Sequence, residues 1–316
     1  MTKTLGVLMD VLETINPKKD STMAMMEAAQ QRGWQLHVMY QGDLSVRDGV
    51  VFGRQRMITI VPGQTDAWFQ LAGEVEGPLT DLDAILLRKD PPFDMEYIYS
   101  TYLLELADKA GTPVLNNPAS VRDCNEKLFA LHFPQCCPPH LVSKDAALLK
   151  NFHQKHGDVI FKPLDGMGGS SIFRLKADDP NVSVIIETLT EMGHRQIMAQ
   201  KYLPEIKDGD TRILLINGEP VPYGLARIPA SGETRGNLAA GGSGVARPLN
   251  DRDRWICEQI GPELKKRGLV FVGIDVIGDY LTEINVTCPT CIREINKAYD
   301  LDIAGDYLDF VGQLIQ

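Results

Sequence analysis

The sequence predicts an α/β protein assembled from α+β lobes. Three observations lead there: a βαβ opening over residues 4–40, a strand–glycine loop–strand unit over 159–176, and two apolar strands over 270–286 that carry acidic side chains. The expected division is 1–122, 123–201 and 202–316.

Residues 4–10, TLGVLMD, are an apolar run of strand length. Asp20 or Ser21 can cap a helix that runs to Gln31 and stops near Gly33. Trp34, Leu36, Val38 and Tyr40 alternate as a second strand. Asp48-Gly49, between short apolar pieces over 43–60, signals a hairpin. Residues 83–89 read as another buried strand, and 98–109 as a helix that Gly111 ends. TPVLNN (112–117) follows as a strand. Together these make a small α/β domain with a mostly parallel sheet.

The second region opens on a capping box, Asp123 with Glu126 three residues later. The helix it starts would carry Lys127. Residues 145–156 form a second helix, 159–163 a strand, 165–171 a glycine-rich loop and 172–176 the return strand. A helix over 184–192 and a strand over 197–200 close this unit. Beyond Tyr202 the pattern is mostly β. Strands 211–216 and 219–225 flank Asn217-Gly218, a two-residue turn. Residues 229–244 are rich in glycine and poor in large apolar side chains, so a mobile loop is expected. Asp251 can cap a helix ending near Gly268. Strands 270–277 and 281–286 precede a last helical stretch after Cys291.

The net charge is -10, which argues against a nucleic-acid scaffold. A local cluster of Arg and Lys can still attract a small anion. No run of 18 apolar residues exists, so no membrane span is expected, and the N-terminal stretch lacks a cleavable leader pattern. Six cysteines in a chain of 316 residues need not pair. A reducing cytoplasm is the expected compartment.

Asp165-Gly166-Met167-Gly168-Gly169-Ser170 lies between two strands. Glycines let backbone N–H groups approach a phosphate closely, and Lys162 stands just before them. Neither a P-loop nor a Rossmann fingerprint is present. An ordinary hairpin with a surface lysine is the alternative. In the last strand pair, a three-residue loop at 278–280 would set Asp275 opposite Glu283, with Asn285 on the same face. Two carboxylates and an amide form an all-oxygen site suited to Mg²⁺. A solvated edge, or carboxylates satisfied by arginines, is the other reading.

Arg88, Arg212, Arg227, Arg235 and Arg293 fall near these elements and suggest an anionic substrate. Arg235, inside the glycine-rich loop, could swing over a developing anion. Cys288-Pro-Thr-Cys291 has CxxC spacing without a second pair for zinc, so packing is the expected duty. His153 and His156 are expected on a solvated helix face. Met23, Met25 and Met26 are expected in the core.

Taken in order, Lys127, IFKPLDGMGGSSIFR (160–174), AQKYL (199–203), Asp210, Arg212 and GIDVIG…TEINVTCPT (273–290) resemble the ATP-grasp ligases. LLRKDPPFD (86–94), NNPASVRDCNEKLF (116–129), RIPASGETRGNLAAGG (227–242) and EINVTCPTCIRE (283–294) are similar to the bacterial glutathione synthetase family within them. The resemblance covers essentially the whole chain. Cys288 stands where it leads one to expect a small hydroxyl side chain.

The resemblance implies an ATP-grasp fold: an N-terminal parallel-sheet domain, a central lid and a C-terminal sheet domain, with ATP between the last two. Lys127 and Lys162 would hold its phosphates beside Gly166, Gly168 and Gly169. Gln200, Lys201 and Leu203 would meet the adenine, and Asp210 and Arg212 the ribose and phosphates. Asp275, Glu283 and Asn285 would bind Mg²⁺, or Mn²⁺ in its place. The family joins γ-glutamylcysteine to glycine, and its members are commonly homotetramers. Lys162, Arg212 and Arg235 would serve the transfer, and Arg88, Arg227, Arg235 and Arg293 would grip substrate. Another ATP-grasp carboxylate–amine or peptide ligase, or a silent nucleotide-binding module, are the rival readings.

Overall fold

The computed structural model describes every residue except Met1, Asn237, Ala239 and Ala240. Strand β1 (Thr4–Leu8), helix α1 (Ser21–Gln31) and strand β2 (Gln35–Met39) form the expected βαβ unit, with β1 and β2 parallel. Asp20 caps α1, its Oδ1 accepting from the Met23 N–H at 2.6 Å. Met23, Met25 and Met26 are buried in the core, as expected.

Strands β3 (Leu44–Arg47) and β4 (Val50–Ile60) meet at Asp48-Gly49, whose φ angles of 50° and 83° are those a type I′ turn demands. Strand β5 (Phe69–Pro78) then pairs antiparallel with β4. Strand β6 (Ala84–Leu87), helix α2 (Met95–Lys109) and strand β7 (Val114–Leu115) complete the first sheet. Only the β1–β2, β1–β6 and β6–β7 pairings are parallel, whereas β2–β4, β3–β4 and β4–β5 are antiparallel. The expectation of a mostly parallel sheet is therefore corrected. β5 went unseen because most of its side chains are exposed, so backbone pairing rather than an apolar pattern holds it.

Helix α3 (Pro118–Asp123) starts earlier than expected. Asn117 caps it, accepting from the Ser120 N–H, and Pro118 occupies its first turn. Asp123 ends this helix and does not begin another. Lys127 lies on a turn held by the Asn125 side chain, whose Oδ1 accepts from the Lys127 and Leu128 N–H groups.

The second sheet holds strand β8 (His140–Ser143), strand β9 (Asp158–Pro163), strand β10 (Phe173–Lys176) and strand β11 (Ile197–Lys201) in the order β10-β9-β11-β8, all antiparallel. Helices α4 (Ala146–His156) and α5 (Val182–Leu189) cover it. Leu149, Val159, Phe161, Leu175, Ile186 and Ile197 give this unit a core of its own. His153 departs from expectation: it is buried, with Nε2 2.9 Å from the Lys176 carbonyl, while His156 packs on Phe152.

The third sheet is antiparallel: strands β12 (Asp210–Ile216), β13 (Glu219–Ile228), β14 (Ser243–Pro248), β15 (Phe271–Ile277) and β16 (Tyr280–Asn285), ordered β14-β13-β12-β15-β16. β14 begins inside the stretch expected as a loop, and three residues of that stretch lie outside the described set. Helix α6 (Asp251–Lys266) is capped by Asn250 and Asp253 in a reciprocal box, one residue before the expected Asp251. Helices α7 (Ile292–Tyr299) and α8 (Ile303–Leu314) leave the sheet and pack on α1, so Ile303, Tyr307 and Val311 share one core with Leu5, Met25 and Phe271. Among the described residues no helix is long and apolar enough to cross a membrane.

Candidate active site

The ladder registers of the third sheet set its charged residues in line. Arg212 on β12 is the cross-strand partner of Asp275 on β15, which faces Glu283 on β16. Asp210 on β12 faces Arg227 on β13. The β15–β16 connection is a two-residue turn at Gly278-Asp279, not the expected three-residue loop. A bulge that leaves Thr282 unpaired restores the expected 275–283 register. Gly273 has a specific role here: a Cβ would stand 2.8 Å from Arg212 Cδ and from Pro289 Cβ, so glycine leaves the room the guanidinium crosses.

Asp275 is almost fully buried and saturated. Its Oδ1 accepts from Arg212 Nε at 2.6 Å and contacts Arg227 Nη2 at 2.9 Å. Its Oδ2 accepts from Arg212 Nη2 at 3.0 Å and Asn285 Nδ2 at 3.2 Å. These contacts fill the roughly four acceptor positions of a carboxylate. Burial alone would raise the Asp275 pKa, but Arg212 and Arg227 outweigh it and hold the carboxyl well below the usual range.

Glu283 faces the two lysines. Its Oε1 is 3.4 Å from Lys127 Nζ and 3.6 Å from Lys162 Nζ. Burial acts to raise its pKa, but the ammonium groups prevail and lower it. Lys162 is pushed down, chiefly by burial, with Glu283 opposing. Lys127 also donates to the Gly166 carbonyl at 2.7 Å, tying the glycine loop to the third sheet.

These groups line a cleft of about 840 Å³ between the second and third sheets. Lys127, Lys162, Gly166, Gly168, Gly169, Gln200, Lys201, Leu203, Asp210, Arg235, Asp275 and Glu283 all line it. A second cleft of about 770 Å³ adjoins it, lined by Asp90, Arg212, Arg227, Asn285, Thr287 and Cys288, among others. Met167 and Gly168 border both. The Asp275–Arg212–Arg227 cluster is thus the partition between the two.

Not every expected residue joins them. Arg88 is buried behind the second cleft, donating to Thr22 Oγ1 at 3.1 Å and to the Pro289 carbonyl at 2.8 Å. Arg293 pairs with Glu27 at 2.9 Å and lines a separate open depression. Arg235 pairs with Glu233 and donates to the Gly169 carbonyl at 3.2 Å, bridging the two loops. Glu126, read in the sequence only as half of a capping box, is instead a half-buried clamp. Its carboxylate accepts from Thr287 Oγ1 at 2.8 Å and from the Val286 N–H at 3.2 Å. The clearance that Gly273 gives Arg212 and the bond of Thr287 to Glu126 also escaped notice, because a close approach across strands leaves no periodic signal; the placement of Gly273 opposite Asn285 is as the strand alternation predicts.

Among the described residues no three of His, Cys, Asp and Glu gather as an ion site. The oxygen set nevertheless fits a divalent cation. Glu283 and Asn285 border the clefts, and the buried Asp210 Oδ1 has no hydrogen-bond partner. Asp275 would have to exchange a guanidinium contact to join them. Burial raises the Asp210 pKa to about 7, with Asp275 adding to the rise and Arg227 opposing it.

Cys288 and Cys291 are free thiols. Cys288 Sγ donates to the Arg88 carbonyl at 3.3 Å, and burial pushes both thiols up, away from reactive thiolate. Replacing both by Ser leaves turnover mostly intact in a steady-state assay, since a hydroxyl can make the same bond. Loss of activity would establish a thiol role.

Two sheets clasping a cleft lined by lysines, a glycine loop and paired carboxylates define an ATP-grasp ligase. Solved structures share the fold: D-cycloserine synthetase DcsG (TM-score 0.69, 14% identity, 99% of this chain and 100% of that one) and ATP-grasp ligase PsnB complexed with minimal precursor, Mg and ADP (TM-score 0.63, 17% identity, 98% of each). The chain belongs to the prokaryotic glutathione synthetase family, whose N-terminal domain model matches residues 4–122 and whose ATP-grasp domain model matches 126–300. It is 61% identical to the glutathione synthetase of Pseudomonas aeruginosa (98% of each chain) and 57% identical to that of Shewanella oneidensis (97% of each). It is accordingly an enzyme of ATP-dependent glutathione synthesis, and the family implies ATP, γ-glutamylcysteine and glycine as its substrates.

Proposed function

We propose that the chain makes glutathione through an acyl phosphate, with ATP in the first cleft and γ-glutamylcysteine in the second. The observation that carries this is the shared wall: the clefts meet at one buried cluster of Asp275, Arg212 and Arg227. A free carboxylate is a poor electrophile because oxide would have to leave. Transfer of the γ-phosphoryl group to the cysteinyl carboxylate supplies a leaving group, and the glycine amine then attacks and expels phosphate.

Lys127, Lys162 and the glycine loop hold the polyphosphate, while the 200–203 segment meets the adenine. Asp210 turns its unpartnered oxygen to the ribose or to the phosphate-bound cation. Arg212 and Arg227 stand where charge passes between clefts and stabilise the transferred group. Arg235 closes over the glycine loop and keeps water from the acyl phosphate. Glu283, Asn285 and Asp275 would hold Mg²⁺, or Mn²⁺, which when bound neutralises polyphosphate charge. Arg88 acts by fixing the Pro289 wall rather than by touching substrate, and Arg293 stays outside both clefts. The enzyme works in the cytoplasm as a homotetramer.

Phosphate release with γ-glutamylcysteine, with and without glycine, followed by mass analysis of the product tests this reading. Release that depends on both substrates and yields the tripeptide supports it. A product with another amine would make the chain a different ATP-grasp ligase, and ATP binding without release would make it a silent module.

A further inference from the structure

Strand β6 ends at Leu87, and Arg88, Lys89 and Asp90 follow it directly. They stand at the carboxyl end of the parallel strands β1, β6 and β7, the edge at which such sheets meet ligands. Two of the three side chains are already engaged. Arg88 is bonded to Thr22 and to the Pro289 carbonyl. Lys89 pairs with Asp10 at 2.7 Å and donates to the Asp90 carbonyl at 2.6 Å. Asp90 differs from both. Its N–H donates to Asp10 Oδ2 at 2.8 Å, so its backbone is tied on either side of the side chain. The residue borders the second cleft, yet among the described residues its carboxylate forms no ion pair. Glu126, the other acid on that cleft, already accepts from Thr287 and Val286. The cleft therefore has unlike walls: Arg212 and Arg227 from the third sheet, and Asp90 from the first domain.

We propose that Asp90 selects and orients the dipeptide by receiving the α-ammonium of its glutamyl residue. The proposal rests on the placement of γ-glutamylcysteine in the second cleft and names the group that this wall reads.

Charge counting leads there. γ-Glutamylcysteine carries two carboxylates and one ammonium. With the cysteinyl carboxylate at Arg212 and Arg227, an unpaired Asp90 would repel the second carboxylate unless it met a cation. Glycine does not supply that cation at the reacting centre, because its amine must shed a proton before it attacks. The glutamyl ammonium remains, at the opposite end of the dipeptide from the carboxylate that is phosphorylated. Its contact with a half-buried carboxylate is a charge-assisted hydrogen bond. Lys89 and Asp10 fix the backbone of Asp90 before substrate arrives, so little ordering is lost on binding. A reversed dipeptide would set its ammonium against two guanidiniums and a carboxylate against Asp90, and the walls reject it.

Steady-state kinetics with γ-glutamylcysteine and with N-glutarylcysteine, which lacks only the α-amino group, test the proposal. The proteins are wild type, Asp90→Asn and Asp90→Ala, the last two keeping the backbone bond to Asp10. Wild type should lose about 10- to 100-fold in kcat/KM on the analogue. Both variants should lose the same factor with γ-glutamylcysteine, mainly through KM, and should no longer tell the two compounds apart. The KM values for ATP and glycine should stay as in wild type. Equal losses with both compounds would reduce Asp90 to a structural role, and a preference that survives in the variants would put the ammonium elsewhere; either result overturns the proposal. A rise confined to the KM for glycine would overturn it and leave the ligase reading standing. A rise confined to the KM for ATP would overturn it together with the assignment of the clefts.

Discussion

Glu283→Gln lowers kcat/KM at least about 100-fold, a loss of about 2.7 kcal/mol of transition-state stabilisation. The change is nearly isosteric, so the effect is electrostatic. Glu283 is the carboxylate that both Lys127 and Lys162 face, at 3.4 and 3.6 Å. Without its charge, two buried ammonium groups lose the anion between them, and the divalent cation proposed for this site would lose an oxygen donor. A second signature follows. Burial already depresses the Lys162 pKa and Glu283 opposes that depression, so the variant should lose its Lys162 proton at lower pH than wild type. The alkaline limb of the kcat/KM profile should move down in pH. Wild-type kcat/KM, or an unmoved alkaline limb, would remove Glu283 from the phosphate site.

The folded enzyme should also lose acid stability through this residue. The Glu283 pKa is depressed below 4.5, so its contribution is present above pH 4.5 and disappears as pH falls through the folded value. Gln at this position should therefore flatten the acid side of the stability curve. Urea unfolding between pH 3 and 6 reads this directly.

The sequence announced elements whose local chemistry decides their shape. Asp48-Gly49 and Asn217-Gly218 both adopt positive φ at each turn residue, as their composition demands. The line of Asp275, Glu283 and Asn285 was legible because strand alternation fixes a face. Even so, the route to that register differed, since a bulge at Thr282 compensated for a shorter turn. What stayed hidden depends on tertiary contact. Lys127 reaches the cleft from an Asx turn rather than a helix. Glu126 finds its partners 160 and 161 residues away at Val286 and Thr287, a pairing that no local pattern records. Arginine saturation of Asp275 was an open alternative, and only the distances decide how many of its oxygens the guanidiniums occupy.

Asp275→Asn should act on folding and catalysis together. The carboxylate neutralises Arg212 and Arg227 inside the protein, and removing one member of a buried ion cluster typically costs about 3–5 kcal/mol. The low end is expected, because Asp210 remains paired with Arg227 at 2.5 Å and can take up part of the charge. The variant should melt lower and lose about 100- to 1000-fold in kcat, since the guanidiniums proposed to meet the transferred group lose their fixed orientation. The pH dependence separates this account from simple damage to the core. In the wild type, Asp210 titrates near 7 when folded and near 3.8 when unfolded. The folded state therefore holds the extra proton between those values. Stability from this group is full below about pH 3.8 and lost as pH rises through 7. Asp275 helps create that rise by repelling the ionised Asp210. With Asn at 275, Asp210 should ionise at lower pH, and the decline of wild-type stability between about pH 4 and 7 should become shallower. A variant that melts lower but keeps the wild-type slope would show that the two carboxylates are not coupled, and the partition between the clefts would then owe its charge balance to Arg227 and Asp210 alone.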